Sequence, residues 1–300
     1  MMALLSSIIG NTFTAATPIA LSGVGGMFGE RSGISNIGLE GTMLASAFMA
    51  VVGSYYMNNP WIGLLCGVGT GILVSLIHAF FCITLKVNQT IIGLAVNILA
   101  ANLTVYSSDI IFGKKGFSSN VTQLPKLSIP ILRDLPLCGD LFGNLAVITV
   151  LIIPICILAH YLLYSTPFGP HVIAVGQNSK AAYVANVKVV RTQYIAVMIG
   201  GFTCGLAGSY LSISYLSLFV RDMVSGRGFI ALAAIIFGRY TPWGIFGAAL
   251  FFGFTSAVQM SLQGIVNIPN EFIQCIPYVL TILVVTLNER RAMKNFADAA

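Results

Sequence analysis

The chain has 300 residues, of which 57% are hydrophobic and only 8% are charged, and its formal net charge is +6. A soluble domain carries about 25% charged residues, so this composition excludes an ordinary soluble protein and indicates a helical membrane protein. The basic residues lie in short connectors and near the C-terminus, which favours membrane orientation over nucleic-acid binding as the origin of the positive charge. We therefore expect a lipid bilayer, and no nucleic acid, as a partner.

Long uncharged stretches predict the membrane segments in chain order, because a span needs about 20 apolar residues. We predict spans at 8–28, 36–57, 60–85, 88–107, 144–165, 192–217, 228–239, 243–263 and 271–288. The segment 228–239 is short for a crossing and is predicted to be a half-helix or part of a bent helix. The predicted fold is all-α, a polytopic bundle of about 8–10 spans that forms one transmembrane domain over residues 1–300.

The distribution of lysine and arginine predicts the orientation. The C-terminal "NERRAMKNFADAA" is basic and is expected in the cytoplasm. Counting back by alternation makes 108–143 an extracytoplasmic connector and 166–191 a cytoplasmic loop, and it leaves the N-terminus outside. The same count places six further basic residues on the cytoplasmic side: Arg31, Lys86, Lys180, Lys188, Arg191 and Arg239.

Two polar interruptions of the apolar sequence supply candidate functional residues. In "ERSGISNIGLEG", Asn36 and Glu40 are four residues apart, which predicts one helical face, and Ser32 and Gly33 suggest a broken helix start. In "NQTIIGLAVNILAANLTVY", Asn97 and Asn102 interrupt an apolar helix. These side chains either line a pathway for a polar solute or form hydrogen bonds between helices.

The loop 166–191 is too polar to cross a membrane, although part of it is amphipathic. Thr166 and Pro167 predict the start of a helix, Gly176 predicts a turn, and Asn178 or Ser179 can cap a second short helix over "KAAYVANVKVV". We expect helical structure that lies on the cytoplasmic side and contacts another protein.

The sequence lacks the common motifs of ATP-binding, catalytic and metal sites. It has no GxxxxGK[ST] loop for ATP, no protease or kinase signature and no cysteine–histidine spacing typical of a metal site. Its N-terminus lacks the basic region of a cleaved signal peptide, so we expect the first helix to stay. Glycines at 63, 67 and 71 recur on one helical face, which predicts close helix packing.

Three blocks resemble the permease subunits of bacterial ABC importers, in the branch that handles sugars and branched-chain amino acids. They are "GGMFGERSGISNIGLEGTML", "STPFGPHVIAVGQNSKAAYVANVKVVRTQYIAVMIGGFTCGLAGSYLS" and "GRGFIALAAIIFGRYTPWGIFGAALFFG". The resemblance covers roughly Pro18 to Leu287. The "ERSGxxNIGLEG" form is most similar to the nucleoside subgroup.

The resemblance implies that 166–191 is a coupling loop that docks into a groove on an ATPase. The predicted coupling residues lie in the stretch that matches the family's "G-x-N-x-x-A-A" core, with Lys180 at one of its variable positions: Gly176, Asn178, Lys180, Ala181 and Ala182. The chain departs from many relatives at Pro170 and His171, where they carry basic residues, and at Ser179, where they carry proline.

The resemblance also implies the partners. They are an ATPase with two nucleotide-binding halves, which binds ATP and magnesium, a second and different permease, and a substrate-binding lipoprotein. The chain itself is then a transport subunit of the bacterial plasma membrane, without catalytic residues, metal or cofactor. The implied cargo is a nucleoside of the purine type, and the alternative is a pentose or another simple sugar.

Two rival functions remain open on the sequence. A proton- or sodium-coupled transporter would use Glu40 as its titrating group. An intramembrane enzyme would use His78 or His160 as its base, but it would also need a paired acid and base, which the sequence does not assemble.

Overall fold

The computed structural model describes residues 2–127 and 145–262. The first half of the chain contains α1 (Met2–Arg31), α2 (Leu39–Met57), α3 (Pro60–Ala79) and α4 (Gln89–Phe112). The second half contains α5 (Val147–Val150), α6 (Ile152–Tyr164), α7 (Phe168–Gln177), α8 (Ser179–Val184), α9 (Val189–Ser209), α10 (Arg227–Phe237) and α11 (Pro242–Leu262). Short π-helical segments extend α3 over Phe80–Thr84 and α9 over Tyr210–Leu216.

Strand structure is minimal in the described residues. A two-residue strand β1 (Lys126–Leu127) pairs antiparallel with β2 (Leu145–Ala146), and an isolated bridge joins Phe117 to Val220. The predicted all-α bundle is thus confirmed. The prediction of a single domain over 1–300 stays a prediction, because 128–144 and 263–300 lie outside the described residues.

Five helical segments of the described residues are long and apolar enough to cross a membrane. They are Pro60–Thr84, Gln89–Phe112, Val147–Tyr164, Val189–Leu216 and Pro242–Ser261. Helices α1 and α2, with 30 and 19 residues, also have the length of a span. Of the two structures predicted at 228–239, a half-helix or part of a bent helix, the structure supports the half-helix, because α10 has 11 residues and is only about 16 Å long. The predicted span 271–288 lies outside the described residues.

Helix α1 forms the centre of the bundle. Its side chains from Ala15 to Phe28 are almost all buried, and it packs against α9, α10 and α11. Small residues allow this close packing: a Cβ on Gly25 would overlap the Thr203 side chain of α9, and one on Gly23 would lie 2.8 Å from Ile245 of α11.

The glycines of α3 face its neighbours, as their spacing predicted. A Cβ on Gly63 would approach the Ala50 carbonyl of α2 to 2.5 Å, and one on Gly71 would overlap the Gly201 carbonyl of α9. These three helices therefore meet backbone to backbone, which is the packing mode of helices that associate in lipid.

Long-range contacts sort the connectors onto two ends of the bundle. At one end, Arg31 donates from Nε to the Tyr240 carbonyl at 2.7 Å, and Thr84 shares a 2.6 Å hydrogen bond with Tyr194 at the start of α9. At the other end, Thr122 donates to Asn58 at 3.1 Å, and the Ser118 amide donates to the Phe219 carbonyl at 3.1 Å. The connectors that the alternation rule grouped around Arg31, Lys86, Lys180 and Arg239 therefore share one end, which we call the 31–38 end.

Candidate functional site

The "ERSGISNIGLEG" segment forms a partly buried turn, 32–38, between α1 and α2, in which Ser32, Ile34, Asn36 and Gly38 are buried. Asn36 lies in this turn, so the prediction that Asn36 and Glu40 share a helical face is wrong: α2 begins three residues later, at Leu39. The Asn36 side chain instead accepts a hydrogen bond from the Gly38 amide at 3.0 Å. Glu30 accepts one from the Ser35 hydroxyl at 2.7 Å, and both bonds close the turn onto itself.

Helix α2 starts inside the bundle, and the first amide groups of a helix need hydrogen-bond partners from outside that helix. Asn97 of α4 supplies a partner: its Oδ1 accepts from the Gly41 amide at 2.7 Å, and its Nδ2 donates to the Ile37 carbonyl at 3.1 Å. Asn97 is eight residues past the first residue of α4, about 12 Å along that helix, so the start of α2 is well within the bundle.

Glu40 connects the start of α2 to the start of a second helix. Its Oε1 accepts a hydrogen bond from the Gly226 amide at 2.8 Å, and its Oε2 accepts one from the Gly228 amide at 2.7 Å. These amides belong to the N-terminus of the half-helix α10, since Gly226 is its capping residue. We call the meeting point of Gly38–Gly41 with Gly226–Gly228 the α2–α10 junction.

The charge of the carboxylate suits its position between two helix starts. Helix N-termini carry partial positive charge from their aligned peptide dipoles, and a carboxylate near them is stabilising. The backbones are close here: a Cβ on Gly228 would lie 2.5 Å from the Glu40 amide nitrogen. Arg227, between the two glycines, donates from one guanidinium nitrogen to the Met223 and Val224 carbonyls, each at 3.0 Å.

Three of the four predicted pathway residues gather at or beside the junction: Asn36, Glu40 and Asn97. Asn102 does not, because it is exposed on α4 and its Nδ2 donates to the Ile98 carbonyl of its own helix at 2.8 Å. The bonds of Asn97 to the start of α2 and of Glu40 to the start of α10 favour the role of fastening helices together, whereas the bond of Asn36 lies within its own turn. Their place in a solute pathway stays a prediction.

Sequence reasoning missed the residues that complete the junction, Gly226, Arg227 and Gly228. A signal was present, because "ERSGISNIGLEG" and "SGRGFIALAAIIFG" share a weak arginine–glycine–apolar pattern. The structure places these two segments in direct contact. The first leads into the start of α2, and the second contains the start of α10.

The loop 166–191 forms two short helices at the 31–38 end. Asn178 caps α8, as predicted, since its side chain accepts from the Ala181 amide at 3.1 Å. Two expectations are wrong: Thr166 bonds back to the Leu162 carbonyl of α6 and caps nothing, and Gly176 lies inside α7 and makes no turn. Gly176 packs on the chain at the end of α1, where a Cβ would overlap the Arg31 carbonyl oxygen.

The outer surface of α8 and of the short connector that follows it carries exposed apolar side chains. Tyr183 and Val184 are 75% and 86% exposed, which is unusual for large apolar side chains beside so many charges. A shallow groove of about 730 Å³ runs along Tyr183–Arg191. Of the predicted coupling residues, Asn178, Lys180 and Ala181 are exposed, whereas Ala182 is buried.

The histidines do not assemble into an acid–base site. His78 lies 3.5 Å from the Cys82 thiol within the C-terminal part of α3, and His160 packs on Tyr164 of α6. Among the described residues, no histidine forms a salt bridge with a carboxylate. Within residues 2–127 and 145–262, the contacts of His78 and His160 are thus with a thiol and an aromatic ring.

Comparison with known proteins shows where this architecture occurs. The chain is 37% identical to the guanosine ABC transporter permease protein NupQ of Bacillus subtilis over 293 residues, which is 94% of this chain and 92% of NupQ. It is 33% identical to the nucleoside ABC transporter permease protein NupC of Lactococcus lactis, over 98% of this chain and 96% of NupC. It is also 33% identical to TsgC13 of Haloferax volcanii, named for glucose transport, over 88% of this chain and 80% of TsgC13.

The fold itself matches a solved structure of an inward-facing ABC transporter of the metal-chelate type. The two share a TM-score of 0.53 at 15% identity, with 93% of this chain and 85% of that chain covered. The family model described as the branched-chain amino acid transport system permease component matches residues 8–285. The chain therefore belongs to this family of ABC transporter permeases and is a multi-pass membrane protein.

Proposed function

We propose that this chain is the permease subunit of an ATP-driven importer of nucleosides in a bacterial plasma membrane. The observation that carries the proposal is the 37% identity to NupQ over 94% of the chain, because NupQ is named for guanosine. The guanosine relative favours purine nucleosides as the cargo. The identity to TsgC13 supports a simple sugar as the alternative cargo.

The coupling helices support the ATP-driven part of the proposal. Helix α8 is capped by Asn178 and presents Tyr183 and Val184 outward at the end of the bundle where we place the cytoplasm. An exposed apolar surface beside Lys180 and Lys188 suits docking to another protein. Lipid would not solvate the two lysine charges, and exposure of Tyr183 and Val184 to water is unfavourable. The proposed occupant is the ATPase that supplies ATP binding and hydrolysis.

The remaining partners follow from the family resemblance. A second, different permease completes the pathway, and a lipoprotein delivers the nucleoside on the outer side. Part of the connector 108–143 faces that side, where Val121 and Leu124 bond to the Ser217 and Ile213 carbonyls and so fix its course on the bundle. This surface is the proposed docking region of the lipoprotein.

The orientation is tested by cysteine labelling with a membrane-impermeant thiol reagent. In a variant without native cysteines, we expect Lys180→Cys to react only after the cells are permeabilised. Asp222→Cys is the matched control, because it is also exposed but lies at the opposite end of the bundle. Labelling of Lys180→Cys in intact cells would overturn the proposed coupling role of 166–191.

The cargo and energy source are tested by uptake of labelled guanosine in cells that express the chain with its proposed partners. We expect unlabelled adenosine and guanosine to compete, ribose and glucose not to compete, and uptake to stop when the phosphate-loop lysine of the ATPase is replaced. Competition by sugars alone would select the sugar alternative. Uptake that persists without ATP hydrolysis would instead support the ion-coupled transporter.

A further inference from the structure

The turn 32–38 connects the coupling helices to the α2–α10 junction. The turn touches helices from both halves of the chain within a few residues. Each contact involves backbone groups of the turn. A shift of the turn would therefore displace the helix residues that are bonded to it or packed on it.

On the side of the coupling helices, the contact is between glycines. Gly33 has a φ of +80°, and a Cβ built on it would lie 3.5 Å from the Gly176 Cα of α7. From the other direction, a Cβ on Gly176 would overlap the Arg31 carbonyl oxygen and would lie 3.2 Å from the Gly33 amide nitrogen. With no side chain between them, α7 cannot move toward the turn without displacing it.

Two glutamines fasten the turn to the starts of neighbouring helices. Gln89 of α4 makes two bonds: its Nε2 donates to the Gly33 carbonyl at 3.1 Å, and its Oε1 accepts from the Ser35 amide at 2.7 Å. Gln193 of α9 donates from Nε2 to the Ser32 carbonyl at 3.2 Å. The turn is therefore held in place by side chains that lie away from the exposed surface of α8.

On the far side, the turn leads straight into the junction. Asn97 donates to the Ile37 carbonyl at the end of the turn and accepts from the Gly41 amide in α2. Glu40 accepts a hydrogen bond from the start of α10. Helix α10 then returns to the same end of the bundle, where the Tyr240 carbonyl accepts from Arg31. The turn and the half-helix thus form a closed loop of contacts from α7 to the junction and back.

We propose that the turn 32–38 is the element that passes movement of α7 to the α2–α10 junction, with Gln89 and Gln193 as positioning residues that keep it attached. This inference rests on the proposed coupling function. It adds the route inside the permease, by which a push on α7 changes the angle between two helices that start deep in the bundle.

The test measures nucleoside uptake per ATP hydrolysed in the reconstituted complex of Gln89→Ala and Gln193→Ala. Each variant loses hydrogen bonds to the turn but leaves the exposed surface of α8 unchanged. We expect normal co-purification of the ATPase, continued ATP hydrolysis and a fall of about fivefold or more in uptake per ATP. Thr90→Ala is the control, because Thr90 is the exposed neighbour of Gln89, and it should leave the ratio unchanged.

The outcomes separate this inference from the proposed function. A parent complex that neither binds the ATPase nor takes up nucleosides would refute the proposed function. A parent complex that transports, with glutamine variants that keep the parental ratio, would refute only the route through the turn. If either single variant does not assemble, Gln89→Glu keeps the acceptor for the Ser35 amide, while it replaces the donor to Gly33 by a charged oxygen, and it must lower the same ratio.

Discussion

Replacement of Glu40 by alanine is expected to lower the free energy of unfolding by about 2 to 6 kcal/mol and to abolish uptake. The change leaves the Gly226 and Gly228 amides without acceptors inside the bundle, and each unsatisfied buried group costs about 1 to 3 kcal/mol. It also removes the negative charge between two helix N-termini. Thermal unfolding of the purified complex and uptake in cells measure the two effects.

Asp222→Ala is the matched control for the Glu40 variant. Asp222 also bonds locally, but its side chain is 64% exposed and its salt bridge to Arg221 lies on the surface. We expect its loss to change the free energy of unfolding by less than about 1 kcal/mol. Glu40→Gln should fall between the two, because it keeps one acceptor oxygen and loses the charge. We call the two hydrogen bonds from Glu40 to the start of α10 the clamp, and a Glu40→Ala protein as stable as the parent would contradict its role in stability.

The same variants separate Glu40 as a clamp from Glu40 as a titrating group. In an ion-coupled transporter, Glu40→Gln would abolish proton coupling, and transport would not need an ATPase. In the importer proposed above, whatever uptake Glu40→Gln retains should still stop when ATP hydrolysis stops. An uptake that follows the proton gradient would overturn the importer.

Replacement of Gly176 by valine is expected to reduce uptake at least about tenfold while the ATPase still binds and hydrolyses ATP. The new side chain meets the carbonyl of Arg31, which is backbone and cannot rotate away, so α7 must separate from the end of α1. Overpacking of this kind costs about 1 to 3 kcal/mol, enough to change the rest position of a short helix. Uptake and ATP hydrolysis, measured on the same preparation, give the result.

Gly69→Val is the control for the Gly176 variant, because a Cβ on Gly69 of α3 meets no atom within 4 Å. It should leave both rates near those of the parent. A bulky replacement of Ala181, which is exposed, should act differently and weaken binding of the ATPase itself. Unchanged transport by Gly176→Val would exclude the close contact between α7 and α1 as part of coupling.

Much of the bundle could be predicted from the sequence because its signals are local. Uncharged stretches of span length predicted α3, α4, α9 and α11, and the four-residue glycine spacing predicted the face of α3 that meets α2 and α9. The short apolar stretch before Gly238 predicted the half-helix α10. These features depend on residues within a few turns of one another.

The details that were wrong depend on contacts between distant residues. Asn36 lies outside α2 because the bonds of Ser35 to Glu30 and Gln89 hold the preceding residues in a turn. The spacing of Asn36 and Glu40 in the sequence does not indicate this turn. Gly176 could serve either a turn or a close approach, and only the position of α1 decides between them. The second coupling helix is shorter than predicted because Asn186 adopts a left-handed conformation with φ of +61° just after it.

The clamp at Glu40 has a consequence for how the protein is made. The carboxylate and its amide partner at Gly226 are 186 residues apart in the chain. As the chain emerges from the ribosome, Glu40 therefore reaches the membrane before the amide groups that donate hydrogen bonds to its carboxylate have been synthesised. The two hydrogen bonds of Glu40 can therefore form only after the second half of the chain has been synthesised.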